Sequence, residues 1–470
     1  MTYGGYSRIL CCMWHRFVRW VGRRSLRWFY RRVVIVGAEL IPESGPLLLI
    51  ANHPNDLPDV LMGYLSTLRD VHFIATISAA TNPLARATYR GLGVIPVTRI
   101  RDVRKLLQQG AAIADVNRLA YRRVVDAFRR GLLIGVFPEG GVTIEPGIAP
   151  LRPGVAQMVL QCFDDGACDS LTVVPLGIQY EARDQPGTDC CIVAGKPLII
   201  SRAEVDAEDR RGAFLTARFT DALERVTRPV PFEGTRTSLE NLAATIGASL
   251  AEHPDDGLPF ASRVAPFLNG LDHTSNDAME RTHELALTVE ALGGRANSAL
   301  DHARLRQIAA RQPERAHLLA DGNKWKLLAL FPLATLGWLT HGVLFAFIWR
   351  MALRTAESPA HRVARAYLPG IYIVLSWYLV LSAVAAVVLS LSGITPLYSL
   401  LLFMLLFRLG DTAVKWRHGL NARRFRTRAK KLGATRLAQV DSAYNRIRHW
   451  WEESGRADSV HATESVQALV

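Results

Sequence analysis

From residue 33 onward, short apolar runs alternate with longer stretches in which apolar residues recur at helical spacing. The runs are "VVIVGAEL" (33–40), "PLLLIAN", "VHFIAT", "GVIPVT", "LLIGVFP", "LTVVPLGIQY" and "CIVAG". Rich in β-branched residues and bounded by Gly, Pro, Asn or Asp, they predict strands. Helical patterns lie between them at 58–68, 102–130 and 152–163. Strands alternating with helices over 33–230 predict an α/β domain, a mixed sheet flanked by helices. Functional groups are then expected in loops at the strand ends.

Outside this domain the pattern changes. Set at about 100° per residue, Leu10, Trp14, Phe17, Val18, Val21 and Trp28 gather on one side, with Arg16, Arg19, Arg23 and Arg27 opposite. Residues 1–32 therefore read as a basic amphipathic helix lying in the membrane surface, the alternative being a helix packed on its own domain. Residues 231–323 are polar, Ala-rich and helical in pattern, with breaks at "HPDDGLP" and "LGGRAN", and read as a helical connector.

Two apolar segments follow, 327–349 and 370–407, without a single Asp, Glu, Lys or Arg. Each reaches the about 20 residues needed to cross a bilayer. The expected division is 324–410 for membrane helices or hairpins and 411–470 for a basic helical tail. The second segment splits at "SGITP", which predicts a hairpin. Lys324 and Lys326 precede the first, while Arg350, Arg354, Arg362 and Arg365 follow it. That symmetry favours a re-entrant path broken at Pro332, Gly337 or Gly342, with every basic loop cytoplasmic.

Composition narrows the class. A chain of 470 residues exceeds one ordinary core, and 49% of it is hydrophobic. The net charge of +14 suits nucleic acid or anionic lipid. The apolar segments select lipid, and no nucleic-acid motif is present. The six cysteines (Cys11, Cys12, Cys162, Cys168, Cys190, Cys191) lack metal-ligand spacing, so reduced thiols and no metal are expected. Eight Arg and no acid occupy residues 1–32 with no following apolar block or cleavage site, so no signal peptide is expected.

Four stretches each follow or end a predicted strand: "NHPNDLPD" (52–59), "GLGVIPVTRIRD" (91–102), "FPEGG" (137–141) and "VVPLGIQYE" (173–181). A histidine beside a carboxylate can act as a general base, the carboxylate fixing the imidazole tautomer while the other nitrogen takes a proton. Taken singly these residues are ordinary: His53 as a structural histidine, Arg99 as a surface arginine, Glu139 as a turn carboxylate. Asp56 reads as a helix cap.

Together, in this order, they resemble the PlsC-like superfamily of glycerophospholipid acyltransferases over about residues 25–200. The first block of that superfamily pairs His and Asp, the second has Gly-x-Ile-Pro-x-x-Arg, the third Phe-Pro-Glu-Gly and the fourth is centred on Val-Pro. This chain offers His53 and Asp59, then Gly93, Ile95, Pro96 and Arg99, then Phe137 to Gly140, then Val174 and Pro175. It departs in two places: five residues instead of four separate His53 from Asp59, and "EGG" stands where Thr or Ser usually follows the Gly. Both variants are similar to a branch of bacterial and fungal glycerol-3-phosphate (dihydroxyacetone-phosphate) acyltransferases, as are Arg99 to Asp102 and "PLRPGVAQM" (150–158).

The resemblance implies a membrane enzyme that moves an acyl group from acyl-CoA or acyl-carrier protein to glycerol 3-phosphate or dihydroxyacetone phosphate. His53 would be the general base and Asp59 its partner; Arg99, Glu139, Gly140 and Arg152 would bind substrate, and no cofactor beyond the acyl donor would be needed. The implied partners are donor, acceptor, membrane lipids and acyl-carrier protein. The implied location is the cell (inner) membrane with the catalytic domain cytoplasmic. A 1-acylglycerol-3-phosphate acyltransferase and a catalytically silent lipid-binding scaffold are the alternatives.

Overall fold

The computed structural model describes residues 13, 17, 20–22, 24–76, 86, 89, 93–97, 113–143, 148–181, 183, 185–227, 236–250, 276–310, 324–356, 359–453 and 466–468. All seven predicted strands form: β1 (Arg32–Val36), β2 (Leu47–Ala51), β3 (Val71–Thr76), β4 (Ile95–Val97), β5 (Leu133–Val136), β6 (Ser170–Tyr180) and β7 (Asp189–Ala194). Two short additions, β8 (Leu198–Ser201) and β9 (Val466–Ala468), complete one sheet in the order β4-β3-β5-β2-β6-β7-β1-β9, with β8 beside β6. The central strands β4, β3, β5, β2 and β6 run parallel, and β7 and β8 lie antiparallel to β6. The fold is therefore the expected mixed α/β sheet flanked by helices.

Continuous apolar runs are what a sheet covered on both faces requires. In β1, Val34 and Val36 enter one core while Val33 and Ile35 enter the other; Leu48 and Ile50 part from Leu47 and Leu49 in the same way. The first core is closed by helices α2 (Ile113–Arg129), α3 (Gly154–Asp164) and α5 (Arg211–Glu224), beyond the short α4 (Arg202–Asp206). The second is closed by α1 (Leu57–Leu65), by Leu26 and Tyr30 of the N-terminal segment, and by Val363 and Tyr367 from the C-terminal third.

Three sequence expectations are revised. Residues 20–22 and 24–29 are helical, and their half-buried aromatic residues pack against the apolar C-terminal helices, as in the alternative reading. Trp20 lies edge-on to Phe407 with ring centroids 4.6 Å apart, and the Trp28 indole donates to Asp411 at 2.9 Å. Arg24 joins the same carboxylate at 2.7 Å. An apolar stripe satisfies itself equally against bilayer or apolar helices, so periodicity alone could not choose. Leu10, Trp14, Arg16, Val18, Arg19 and Arg23 lie outside the described residues.

The first apolar segment forms one unbroken helix, α9 (Lys324–Thr355), and not a re-entrant loop. Its Gly337 is a packing notch: a Cβ there would sit 2.3 Å from the Leu409 carbonyl oxygen of α11 (Tyr398–Ala429). The second segment does form a hairpin, α10 (Pro359–Leu391) turning into α11 through Gly393 at φ +73°. Among the described residues two helices, Lys324–Thr355 and Arg365–Leu391, are long and apolar enough to cross a membrane, and their large side chains are widely exposed.

The connector and the basic tail are not separate. Helices α6 (Arg236–Leu250), α7 (Asn276–Ala291), α8 (Ala299–Ala309) and α12 (Ala434–Glu453) share one core with the end of α11, in which Leu242, Val289 and Leu305 meet Tyr444, Ile447 and Trp451. Helix α11 runs straight through the expected boundary at residue 410. The break "HPDDGLP" lies outside the described residues.

A buried charge network ties these parts together. Arg31 reaches Asp189 at 2.8 Å, Glu181 at 3.2 Å and Asp301 at 3.4 Å; Arg32 meets Asp189 at 2.8 Å and Arg304 meets Asp301 at 3.1 Å. Burial alone would raise the Asp189 and Asp301 carboxyls, but the surrounding guanidinium groups hold both below their ordinary value. Their stabilising contribution is therefore fully present above the unfolded value of about 3.9 and is lost as pH falls through the folded values. Arg31→Ala removes the guanidinium shared by three buried carboxylates, leaving Asp189 with Arg32, Asp301 with Arg304 and Glu181 with Arg295 at 3.7 Å, and should destabilise the fold by about 3–5 kcal/mol. Thermal unfolding of the solubilised protein would show a lower midpoint at neutral pH and a shallower decline below pH about 4 than wild type.

Candidate functional site

Strands β4, β5, β2 and β6 are parallel, so the four sequence blocks leave the sheet at one edge. The first is guided by an amide that extends the β2–β6 ladder past the strand's end. Asn52 donates from Nδ2 to the Ile178 carbonyl at 3.0 Å and accepts the Ile178 N–H at 2.6 Å. His53 follows with its backbone fixed on both sides. Its N–H donates to Glu139 Oε1 at 2.8 Å, and its carbonyl accepts the Thr143 N–H at 2.9 Å. The imidazole stacks on Phe137, centroids 4.0 Å apart and planes 14° from parallel.

His53 Nδ1 lies 2.8 Å from Asp59 Oδ2. Between them the chain reverses into α1 at Asp56, with φ of 48° and ψ of −121°. Asp56 makes no side-chain capping hydrogen bond, contrary to the expectation; it contributes its strained backbone and accepts the Asp59 N–H at its carbonyl, 3.2 Å away. Pro58 and Asp59 then sit in the first helical turn, where a carboxylate also meets the positive end of the helix.

Asp59 is wholly buried and accepts three hydrogen bonds: His53 Nδ1, the Asn55 N–H at 2.6 Å, and the Tyr180 hydroxyl at 2.5 Å. Burial pushes its carboxyl above the usual carboxylate range, while these donors pull the other way. Asn55 is held in turn by Tyr30 Oη at 2.8 Å and the Arg183 carbonyl at 3.0 Å. An ionised Asp59 only accepts, so Nδ1 carries the proton. Nε2 has no hydrogen-bond partner among the described residues, which leaves it to receive a proton from outside.

Glu139 differs from the expectation of a substrate contact. It is 5% exposed, and both oxygens are engaged by protein: Oε1 by His53 N–H, Oε2 by Ala149 N–H at 2.8 Å and the Thr143 hydroxyl. It is a brace for the histidine loop. Thr143 supplies the hydroxyl two positions beyond "EGG", where the resemblance expected one directly after Gly140. Gly140 turns at φ +73°, and a Cβ there would press to 2.9 Å from Arg152 Cγ, so the two sit side by side with Arg152 exposed beside the loop.

Gly93 of the second block, at φ +66°, fits over His72, which meets the Gly93 carbonyl at 3.1 Å from Nδ1. Gly93 thus sets the entry to β4, at the opposite end from His53, and the strand runs from there toward the common edge as far as Val97; Arg99 and Asp102 lie outside the described residues. Sequence reasoning missed Tyr180, Tyr30, Asn55 and Thr143. The signal for Tyr180 was its place at the polar end of the "VVPLGIQYE" block, level with the residues that follow β2.

Residues 32–179 match the family described as Acyltransferase. Among curated proteins, the chain is 26% identical over 119 residues to glycerol-3-phosphate O-acyltransferase 2 of Saccharomyces cerevisiae (24% of this chain, 16% of that protein). It is 38% identical over 82 residues to glycerol-3-phosphate O-acyltransferase 1 of the same yeast (17% and 11%). An uncharacterized acyltransferase of Schizosaccharomyces pombe is 23% identical over 305 residues (47% and 45%). The chain thus spans less than half the length of each. Among solved structures, the 1-acyl-sn-glycerophosphate acyltransferase of Thermotoga maritima aligns at 19% identity and a TM-score of 0.31, covering 45% of this chain and 79% of that one.

The brace makes a structural prediction that needs no assay of chemistry. Glu139→Ala leaves buried amides at His53 and Ala149 without acceptors, a cost of about 1–3 kcal/mol. Hydrogen–deuterium exchange should quicken across residues 52–56 and 137–143 while β6 and β7 stay protected. Unchanged exchange in the loop would show that Glu139 does not brace it.

Proposed function

From the match of residues 32–179 to the family described as Acyltransferase, we propose that the chain is a membrane-bound O-acyltransferase of glycerolipid synthesis, with the thioester of acyl-CoA or acyl-carrier protein as donor and glycerol 3-phosphate or dihydroxyacetone phosphate as acceptor. The observation that carries this reading is the His53–Asp59 pair, locked from three sides with Nε2 left free at the edge where the four blocks converge.

His53 Nε2 takes the proton of the acceptor hydroxyl as that oxygen attacks the thioester carbonyl. The ester C–O bond forms, the C–S bond breaks, and the imidazolium returns its proton to the departing thiolate. Asp59 stabilises the charged imidazole and holds its tautomer; the protein forms no covalent intermediate. Arg99 and Arg152 are the guanidinium groups for the acceptor's phosphate, which a planar fork meets with two oxygens at once. The identity shared with the two yeast proteins supports glycerol 3-phosphate as acceptor. The apolar helices support a site served from the bilayer, which we assign to the cytoplasmic face of the cell membrane.

The test offers oleoyl-CoA or palmitoyl-CoA with glycerol 3-phosphate, dihydroxyacetone phosphate and 1-acylglycerol 3-phosphate in parallel. Transfer to glycerol 3-phosphate is expected, falling by about 10²–10⁴-fold in His53→Ala. Transfer that survives in the variant overturns the assignment, and transfer only to 1-acylglycerol 3-phosphate replaces the acceptor. Tyr180→Phe removes a hydrogen bond that favours ionised Asp59, so the proton affinity of the pair rises. The acid limb of kcat/KM should therefore move to higher pH, which a purely structural loss of activity would not do.

A further inference from the structure

A cavity of about 370 Å³ opens where the N-terminal helical segment lies against α9, α10 and α11, apart from the His53 loop. Its walls are apolar and aromatic, including Trp28, Phe345, Trp349, Ile371 and Val374. That volume is within the range of small-molecule sites, about 300–1,000 Å³. Two guanidinium groups line the same space. Arg24 gives Nη1 to Asp411, yet its Nε is buried without a hydrogen-bond partner. Arg417 is exposed and carries no hydrogen bond or ion pair among the described residues.

We propose that this cavity binds one acyl chain of an anionic membrane phospholipid, with the phosphate held at Arg417 and Arg24. Three observations select that occupant. The cavity is walled by the two helices long and apolar enough to cross a membrane, so what reaches it laterally is lipid. Its lining is mostly apolar and is charged at the two arginines alone, the Ser25 and Tyr367 hydroxyls being bonded to backbone carbonyls; this is the distribution of an amphiphile and not of a soluble metabolite. The cations have donors left over, which a phosphate's oxygens accept and a choline headgroup does not oppose with net negative charge. Phe29 forms part of the same wall and packs edge-on to Tyr30, 4.8 Å between centroids, so the lipid sits directly behind the layer that supports Asn55. The site does not depend on the proposed acyl transfer.

The experiment is native mass spectrometry of the full chain in detergent, incubated with phosphatidic acid or with phosphatidylcholine of the same chains. Wild type should retain one phosphatidic acid in preference to phosphatidylcholine. Ala346 is on the cavity wall and exposed, so Ala346→Trp can block the space without disturbing a packed core. It should lose the bound lipid of both kinds. Arg417→Gln, also at an exposed position, should still retain lipid but lose the preference for phosphatidic acid. Equal retention in wild type and Ala346→Trp, or an undiminished preference in Arg417→Gln, overturns the proposal. If Ala346→Trp does not give a folded protein, the Arg417→Gln comparison decides it alone.

Discussion

Everything at the candidate site depends on keeping one carboxylate in a place that water does not reach. Asp59 is fully buried, and an ion there is tolerated only because every direction from which it could be approached presents a donor. The donors come from the histidine itself, from a backbone N–H four residues earlier and from the far end of β6. Their convergence requires the parallel β2–β6 register, the Asn52 ladder extension and the reversal at Asp56. Each of those features costs conformational freedom or strain; the carboxylate is what makes them mutually consistent.

A second layer, built on the same logic of satisfied burial, joins the domain to the rest of the chain. Arg31 stands one residue before β1 and collects carboxylates from the β6–β7 region and from α8. Seven residues earlier, Arg24 and then Trp28 collect Asp411 from α11. One short stretch of sequence thereby fastens sheet, helical bundle and apolar helices to each other. The face of β2 that carries Leu47 and Leu49 is sealed by this stretch and by Tyr367, so the sheet is complete only when the C-terminal third is in place.

Much of the sheet was legible because strands read locally: alternation, β-branching and turn residues all act within a few positions. His53 and Asp59 were legible for the same reason, six residues apart on one loop. Tyr180 and Tyr30 were not, since their meeting with Asp59 and Asn55 follows from strand register and from the return of the N-terminal segment. Glu139 was legible as important but not in what it does, because its partners are backbone groups, which sequence does not distinguish. The aromatic stripe around Trp28 was read as lipid-facing because lipid tails and apolar helices make the same demand on a side chain. Gly337 looked like a break for a similar reason: a missing side chain signals either a turn or a close approach, and only the neighbour decides.

Helix α11 gives the molecule a property beyond packing. Its 32 residues form a rod about 48 Å long, with Leu400, Leu401 and Met404 exposed near one end and Phe425 and Ala429 locked into the bundle at the other. No linker separates the two environments. The rod works as a gauge: the distance from the apolar hairpin to the bundle is fixed by backbone rise, and a displacement of the hairpin reaches the bundle as tilt instead of being absorbed by slack chain.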